Sequence, residues 1–277
     1  MKVPDTMRAV VLMGHGGLDQ LVYREDWPTP QPRADEVLVK IGACGLNNTD
    51  INTRTAWYSK TVRDGITDAG GKGGFAEAEA TQGSWSNSEI TFPRIQGADV
   101  AGRIAAVGAD VDPSRIGERV ILDPWLHGHG EWHLAENTSY FGSECDGGFA
   151  DYVTIRAANA LPITSLLSDA ELATFPTVLT TAEHLVWRAD PQPGEWVVIA
   201  GASGGVGTTA IQLCLLRGAR IVAISTAQKA EPLMALGCSA VVDRDSASLE
   251  DDIRDAAGGH VDAALDVVGG ALFAPLI

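Results

Sequence analysis

The sequence predicts an α/β protein in which a doubly wound parallel sheet follows a smaller β domain. Three observations support this fold class. Residues 196–207, WVVIAGASGGVG, place a short apolar run before a glycine-dense turn that opens a helical segment. Short apolar strands then alternate with helical segments, as in a parallel sheet covered on both faces. The first 155 residues instead carry evenly spaced β-like runs between Gly and Pro turns, which is typical of a small barrel-like domain.

The glycine-dense turn has the spacing Ala202-x-Gly204-x-x-Gly207. A strand, a glycine loop and a helix in this order direct backbone N–H groups and the positive end of the helix dipole at a pyrophosphate. Gly204 would let the backbone approach the phosphates, and Gly207 would allow close packing of the helix on the strand. The predicted dinucleotide-binding loop therefore consists of Ser203, Gly204, Gly205, Val206 and Gly207.

The end of the second strand indicates which dinucleotide is bound. An acidic residue at this place would bind the ribose 2′-hydroxyl of NAD, whereas this chain has Ser225 and Thr226, followed by Lys229 and Arg244. Hydroxyl groups and cations attract a 2′-phosphate, and a carboxylate would repel it. The sequence therefore favours NADPH over NADH. The alternative is that Lys229 and Arg244 are ordinary solvated charges.

The remaining elements follow from periodicity and turn residues. In the first half we expect β-like runs over residues 8–12, 21–24, 36–41, 100–107, 119–122 and 149–155. After the glycine loop we expect helices over 205–217, 228–236 and 248–257 and strands over 220–224, 240–242 and 261–268. These elements divide the chain into domains 1–160 and 161–277. The Gly-, Ala- and Ser-rich stretch 64–88 is either a mobile loop over the site or a disordered insertion.

Composition argues against several functional classes. Of 277 residues, 36 are acidic and 20 basic, and the net charge of −16 disfavours binding to nucleic acid or to an anionic membrane. No apolar run approaches the ~20 residues that span a bilayer. The N-terminus lacks a signal-peptide pattern, so we expect a cytoplasmic protein. Four scattered cysteines without a CxxC pair predict neither a disulfide framework nor a zinc ribbon, and Cys214 falls on an apolar helix face that is typical of core.

The chain resembles the medium-chain dehydrogenase/reductase superfamily, and in particular its zinc-independent, quinone-oxidoreductase-like branch. The matching segments are PRADEVLVKIGACGLNNTD (32–50), PRIQGADVAGRIAAVG (93–108), IGERVIL (116–122), DGGFADYV (146–153), TFPTVLTTAEHLVW (174–187) and GEWVVIAGASGGVGTTAIQLCLLRGARIVAISTAQKAEPLMALG (194–237). The resemblance implies a GroES-like β-barrel domain, a Rossmann domain, an active site in the cleft between them, and a homodimer. Of the six strands in the family's sheet, we expect only four here, so that the sheet is truncated and its fourth strand is an exposed edge.

Zinc-dependent members of the superfamily hold a catalytic zinc with a Cys, a His and a second Cys. By resemblance these positions are Asn47, Ala98 and Thr177 here, with Asp99 beside the His position. An amide, a methyl group and a hydroxyl do not make a zinc site, so we expect no catalytic metal, and we expect Cys44 in the core. The loop 125–145 matches the family's structural zinc lobe but carries only Cys145, His127, His129 and His133. We expect these histidines to be exposed and unliganded, with a metal site as the alternative.

Without zinc, hydride transfer depends on side chains that orient the substrate and stabilise the charge developing on its oxygen. The catalytic candidates are Asn47 as a hydrogen-bonding amide, Asp50 as an orienting or proton-relaying carboxylate, and Tyr58 as a hydroxyl proton donor. Alternatively, Asn47 and Asp50 cap a short helix and Tyr58 packs under the Gly-rich stretch. Further cofactor contacts are expected from Thr177, Thr181 and Val267. Quinone reductases of the family often have Tyr at the place of Asn52, which disfavours a quinone.

The sequence therefore predicts an oxidoreductase that transfers hydride between NADPH and a small carbonyl, enone or quinone substrate without catalytic zinc. Three alternatives stay open: a non-catalytic nucleotide-binding protein, a truncated fragment of a longer reductase, and a zinc-dependent alcohol dehydrogenase.

Overall fold

A computed structural model describes residues 2–62, 68–75, 90–127 and 138–276 of the chain. Most of the stretch 64–88, together with His129 and His133, lies outside the described residues. The chain divides into two units, Met1–Thr177 and Val178–Ile277.

The first unit is built mainly from antiparallel strands. They are β1 (Thr6–Leu12), β2 (Leu21–Pro28), β3 (Glu36–Gly45), β4 (Arg94–Ile95), β5 (Asp99–Val107), β6 (Arg119–Leu122), β7 (Trp125–His127), β8 (Thr138–Tyr140), β9 (Tyr152–Arg156) and β10 (Ala160–Pro162). They form a five-stranded sheet in the order β10-β6-β5-β3-β9, a three-stranded sheet β2-β1-β4 and the hairpin β7-β8. The predicted small β domain is confirmed.

Alternating side chains make these strands amphipathic. In β1, Met7, Ala9 and Val11 point into one core cluster. In β6, Val120 and Leu122 are buried in a second cluster that Phe141 joins. The sequence segments that were predicted as strands are therefore those in which every second side chain is buried.

Helices in the first unit follow the ends of strands. They are α1 (Asn48–Thr55), α2 (Asp68–Gly73) and α3 (Asp169–Leu172), and α4 (Pro176–Ala189) begins in this unit. Proline suits the first turn of α4 because the N–H that it lacks would have no helical partner there. Ser168 caps α3, accepting a hydrogen bond from the backbone N–H of Glu171 at 3.2 Å.

The second unit is a four-stranded parallel sheet with the order β13-β12-β11-β14. Its strands are β11 (Trp196–Ala200), β12 (Arg220–Ser225), β13 (Ala240–Asp243) and β14 (Ala263–Asp266), and its further helices are α5 (Gly205–Leu216), α6 (Ala230–Ala235) and α7 (Leu249–Ala256). Successive residues of β11 enter different cores: Ile199 packs with Ile211 of α5, and Val198 packs with Ile253 of α7. Both faces of the sheet are therefore covered, as predicted. Cys214 is fully buried in the first of these cores, which confirms its predicted place.

Two elements are shorter than the sequence predicted. The stretch 228–236 begins as a 3-10 turn over Ala227–Lys229 and becomes α6 only at Ala230. Pro232 has no N–H to donate to the carbonyl four residues earlier, so the regular helix cannot start sooner. β14 ends at Asp266, whose carboxylate accepts the backbone N–H of Val268 at 2.8 Å and so starts a turn.

The division between the units lies later than the predicted boundary after residue 160. Residues 161–177 pack with the first unit. Arg119 of β6 binds Asp169 at 2.6 Å, and Leu172 and Ala173 are buried against Ala101 of β5. The apolar residues of this segment therefore make it part of the first core.

Among the described residues, β14 is one edge of the sheet, in agreement with the expectation that the fourth strand is an edge. Directly after it, Val267 and Val268 are 43% and 54% exposed. Among the residues with described structure, no helix has both the length and the apolar character to cross a bilayer.

Candidate functional site

The turn between β3 and α1 positions Asn47 and Asp50. Asp50 lies in the first turn of α1 and is buried. Its carboxylate accepts the backbone N–H of Asn47 at 2.8 Å and the backbone N–H of Gly97 at 3.2 Å. The helix-start role considered from the sequence is therefore present, and the contact with Gly97 also joins α1 to the segment before β5. Burial raises the pKa of Asp50 to about 6.

Asp99, the first residue of β5, connects two of the sequence-predicted residues. Its Oδ2 accepts Nδ2 of Asn47 at 3.0 Å, while its Oδ1 accepts both the backbone N–H and the hydroxyl of Thr177, at 2.8 and 2.5 Å. Asp99 is 1% exposed, and this burial raises its pKa. The carboxylate therefore joins the turn before α1 to the start of α4.

Tyr140, at the end of β8, extends this chain of hydrogen bonds. Its hydroxyl lies 2.8 Å from the hydroxyl of Thr177. The side chain is buried and packs edge-on against Trp125, and burial raises its pKa. No sequence motif singled out Tyr140 because the residues before it show no periodicity. The sequence indicated Asp99 only as the residue beside Ala98, which stands at the family's His position.

Tyr58, the predicted proton donor, belongs to a different set of hydrogen bonds. Its hydroxyl donates to Thr49 Oγ1 at 3.1 Å, and Nδ2 of Asn52 lies 3.4 Å from it. Arg54, in the last turn of α1, is buried, and its guanidinium donates hydrogen bonds to the backbone carbonyls of Gly16 and Gly71. The structure thus brings Asn47, Asp50 and Thr177 together through hydrogen bonds, and gives Tyr58 and Arg54 other partners.

The donor atoms at the family's catalytic-zinc positions do not suit zinc. The Asn47 amide and the Thr177 hydroxyl both donate to Asp99, and Ala98 has no ligating atom. In the part of the chain that the structure describes, no group of three His, Cys, Asp or Glu side chains could hold a metal. Cys44 is partly buried in the core next to Val100, and burial raises the pKa of its thiol. The residues present therefore do not fit a catalytic zinc.

Only part of the predicted histidine loop can be described. His127 is exposed, and its backbone carbonyl accepts a hydrogen bond from Arg156 at 2.8 Å. Cys145 packs against the core of the first unit, and burial raises the pKa of its thiol to about 11. His129 and His133 lie outside the described residues, so the alternative of a metal site stays a prediction.

In the second unit the predicted phosphate loop joins β11 to α5. Gly201 has φ +65°, a left-handed conformation that favours glycine, and Gly204 precedes the first residue of the helix. A Cβ on Gly207 would lie 2.4 Å from the carbonyl oxygen of Gly201, so only glycine allows this approach. Ser203, Gly204 and Gly205 are exposed. The first N–H groups of a helix have no partner within it, and here they lie beside an open loop.

The other predicted cofactor residues of this unit lie around the loop or at strand ends. Ser225 is buried and donates to the hydroxyl of Ser203 at 3.0 Å. Thr226 and Lys229 flank the 3-10 turn after β12, and Arg244 follows β13 with its backbone N–H on the carbonyl of Ser225 at 2.9 Å. The Arg244 side chain is exposed, with Asp245 at 3.7 Å.

Val267 and Val178 of α4 lie beside the loop. A Cβ on Gly201 would lie 3.1 Å from a methyl carbon of Val267, and a Cβ on Gly205 would lie 2.9 Å from Val178 of α4. Thr181 is three residues beyond Val178, on the same side of that helix, and is half-buried. The loop residues therefore fit a dinucleotide phosphate group, with Val267 and α4 beside them.

Comparison with known proteins gives two family matches. Residues 33–165 match the family "Alcohol dehydrogenase GroES-like domain", and residues 205–277 match the family "Zinc-binding dehydrogenase". Together the two matches cover most of both units.

Individual proteins agree with these matches. A solved protein of Sinorhizobium meliloti 1021, provisionally classed as an alcohol dehydrogenase, is 41% identical with a TM-score of 0.84, over 99% of this chain and 72% of that one. An NAD-dependent alcohol dehydrogenase of Sulfurisphaera tokodaii is 28% identical over 88% of this chain and 67% of its own length. The quinone oxidoreductase of Coxiella burnetii is 25% identical with a TM-score of 0.70, over 96% and 70%. The chain spans 56–71% of the length of the curated relatives that it matches.

Proposed function

We propose that this chain, which belongs to the medium-chain dehydrogenase/reductase superfamily, transfers hydride between a nicotinamide dinucleotide and a small carbonyl compound. The observation that carries the proposal is the turn from β11 through Gly201 and Gly207 to α5, where the backbone leaves room for phosphate oxygens. Relatives named alcohol dehydrogenases make the carbonyl–alcohol couple the first choice of reaction.

We further propose NADPH as the preferred dinucleotide. The end of β12 carries Ser225 and Thr226 and therefore no carboxylate that would repel a 2′-phosphate. Two cations lie nearby in the sequence, Lys229 after β12 and Arg244 after β13. The rival is NADH, because the Sulfurisphaera relative is named NAD-dependent. Buried Ser225 bonds to Ser203, so it supports the loop, and the exposed Lys229 and Arg244 supply the attraction to phosphate.

We propose that catalysis proceeds without zinc. When bound, the nicotinamide supplies the hydride. The protein's part is to hold the substrate oxygen and to stabilise the negative charge that develops there. Asn47 and Thr177 are half-buried polar groups at two of the family's ligand positions, and the buried Asp50 and Asp99 fix the backbone and side chains around them.

The test begins with binding. NADPH and NADH are titrated separately into the purified chain by calorimetry, and we expect NADPH to bind at least about tenfold more tightly, an extra ~1.4 kcal/mol. NADH binding more tightly would overturn the cofactor preference, and binding of neither would overturn the proposed function.

The second part of the test measures turnover. We expect NADPH oxidation with at least one member of a panel of aldehydes, ketones, enones and quinones, unchanged after dialysis against a chelator. Activity lost on chelation and restored by zinc would contradict the zinc-independent mechanism. Tight dinucleotide binding with no turnover of any acceptor would instead favour the non-catalytic nucleotide-binding protein.

A further inference from the structure

Asp99 is a buried carboxylate whose described hydrogen-bond partners all donate to it. Asn47 donates to one oxygen, and Thr177 donates twice to the other. None of the ion pairs in the described part of the chain includes Asp99. An ionised carboxylate only accepts hydrogen bonds, so it dictates which atoms its neighbours turn toward it.

For Asn47 this dictates the orientation of the amide. Nδ2 must face Asp99, because the amide oxygen would meet another acceptor there. The second Nδ2–H of Asn47 and its carbonyl oxygen are then the atoms that do not face Asp99. Asn47 is half-buried, whereas Asp99 is 1% exposed, so a small molecule can reach the amide but not the carboxylate.

For Thr177 the same carboxylate dictates the direction of the hydroxyl. The Thr177 hydroxyl donates to Asp99 at 2.5 Å, and its oxygen therefore accepts from the Tyr140 hydroxyl at 2.8 Å. The hydroxyl hydrogen of Thr177 is therefore already donated to Asp99. Of the two half-buried groups bonded to Asp99, only Asn47 keeps an N–H to offer a substrate.

We propose that Asp99 is a positioning residue: it holds the Asn47 amide so that the second Nδ2–H faces the oxygen of the substrate carbonyl. This inference rests on the proposed function. Hydride adds to the carbonyl carbon, and the π electron pair of the C=O bond moves onto the oxygen. The Asn47 N–H donates a hydrogen bond to that oxygen, which then takes a proton from solvent water as the nicotinamide becomes oxidised.

The experiment exchanges the two side chains. In the double variant Asn47→Asp/Asp99→Asn, the new amide at position 99 keeps an oxygen for both Thr177 donors and turns its nitrogen to the new carboxylate at position 47. All three hydrogen bonds are kept, but position 47 can no longer donate. Asn47→Asp places two carboxylates against each other and breaks the hydrogen bond. In Asp99→Asn the new amide keeps its oxygen for Thr177 and turns its nitrogen toward Asn47, whose amide turns over to accept that N–H, so the bond survives but the donating N–H of Asn47 moves. Asp112→Asn makes the same chemical change at an exposed helix cap and serves as the control.

We expect Asn47→Asp to lower Tm, the exchange to restore it close to that of the parent, and Asp99→Asn to keep Tm but lower kcat. We expect kcat to stay down by about 100-fold in the exchange variant, as when a single oxyanion donor is removed, with NADPH affinity unchanged. The control should match the parent in Tm and kcat.

An exchange variant that recovers kcat together with Tm would overturn the proposal, because the pair would then serve structure only. So would an Asp99→Asn variant with the parent's kcat. Failure of the parent chain to bind a dinucleotide would overturn the proposed function instead. The Tm coupling between positions 47 and 99 is measured without cofactor and separates the two cases.

Discussion

The hydroxyl of Ser225, at the end of β12, donates to the hydroxyl of Ser203 in the glycine loop at 3.0 Å. This bond ties the strand end, where the ribose of a dinucleotide would lie, to the loop that would hold its phosphates. Ser225 is 4% exposed, so the bond is made inside the protein. The residue free to meet a ribose is therefore the next one, Thr226, which is half-buried at the start of a 3-10 turn.

Thr226→Asp should change the dinucleotide preference. Asp serves as well as Thr at the start of a helical turn, so the fold should be kept. The new carboxylate would repel a 2′-phosphate and accept a hydrogen bond from a 2′-hydroxyl. We expect the ratio of NADPH to NADH affinity to fall by about tenfold or more, an effect of ~1.4 kcal/mol. Calorimetric titration of both dinucleotides checks this, with the neutral Thr226→Asn as the matched control. An unchanged ratio would place the discrimination elsewhere.

Two glycine variants should separate binding from folding. A Cβ on Gly204 would have its nearest neighbour at 3.4 Å, with φ −79°, so Gly204→Ala should fold normally and weaken dinucleotide binding by blocking close approach. A Cβ on Gly207 would lie 2.4 Å from the Gly201 oxygen and 2.7 Å from Cα of Ala202. We expect Gly207→Ala to destabilise the second unit by about 2 kcal/mol. Thermal unfolding and NADPH titration of both variants test the contrast, which would be refuted if Gly204→Ala bound normally.

Asp50 should make stability depend on pH. Because burial raises its pKa from 3.8 to about 6, the folded state binds this proton more tightly than the unfolded state does. Its contribution to the free energy of unfolding is therefore complete below its ordinary pKa and is lost as the pH rises through about 6. Asp50→Asn does not titrate. We expect the stability of the parent relative to this variant to fall by on the order of 2 kcal/mol between about pH 4 and about pH 7.

Urea unfolding of both proteins across this pH range measures the difference. Asp112→Asn is the control, because the backbone N–H of Ser114 lowers the pKa of this exposed carboxylate and so gives the opposite sign. The prediction is contradicted if the free energy of unfolding of the parent, relative to that of Asp50→Asn, rises with pH. The hydrogen bonds from Asn47 and Gly97 would then outweigh burial in setting the pKa of Asp50.

Arg54 should stabilise the first unit. Arg54 is 5% exposed, and its guanidinium donates to the carbonyls of Gly16 and Gly71, so Arg54→Met would leave both oxygens without these donors. We expect a loss of about 3 kcal/mol in the free energy of unfolding. Arg24→Gln removes a guanidinium that pairs with Asp26 on the exposed strand β2 and should leave Tm unchanged. Equal Tm values for the two variants would mean that the Arg54 bonds add nothing.

Much of the second unit could be predicted from sequence because its signals are local. The apolar run 197–200, the glycines that follow and the helix from Gly205 are adjacent in the chain, and their order alone defines the phosphate loop. Two element ends differ from the sequence prediction, and their causes are equally local: Pro232 delays the start of α6, and Asp266 starts a turn that ends β14. The domain boundary was harder to place, because residues 161–177 become core only through contacts with Ala101 and Arg119.

The candidate site could be predicted only in part, since its contacts are distant in sequence. Asn47 and Asp50 could be identified because they lie three residues apart in a recognisable motif. The partner of Asn47, Asp99, is 52 residues away, and Tyr140 is 37 residues before Thr177. Asn47 and Asp99 meet because β3 and β5 pair in the register that sets Gly45 opposite Asp99, which no local pattern reveals.

The β3–β5 register brings Asp50 and Asp99 close together. The charge of these two carboxylates affects which molecules can bind beside them. No ion pair among the described residues includes either carboxylate, and both are buried. An oxo acid would have to bring its own anionic end next to this pair and would be turned away by Coulomb repulsion. We therefore expect uncharged carbonyl compounds to be better acceptors than carbonyl compounds that carry a carboxylate.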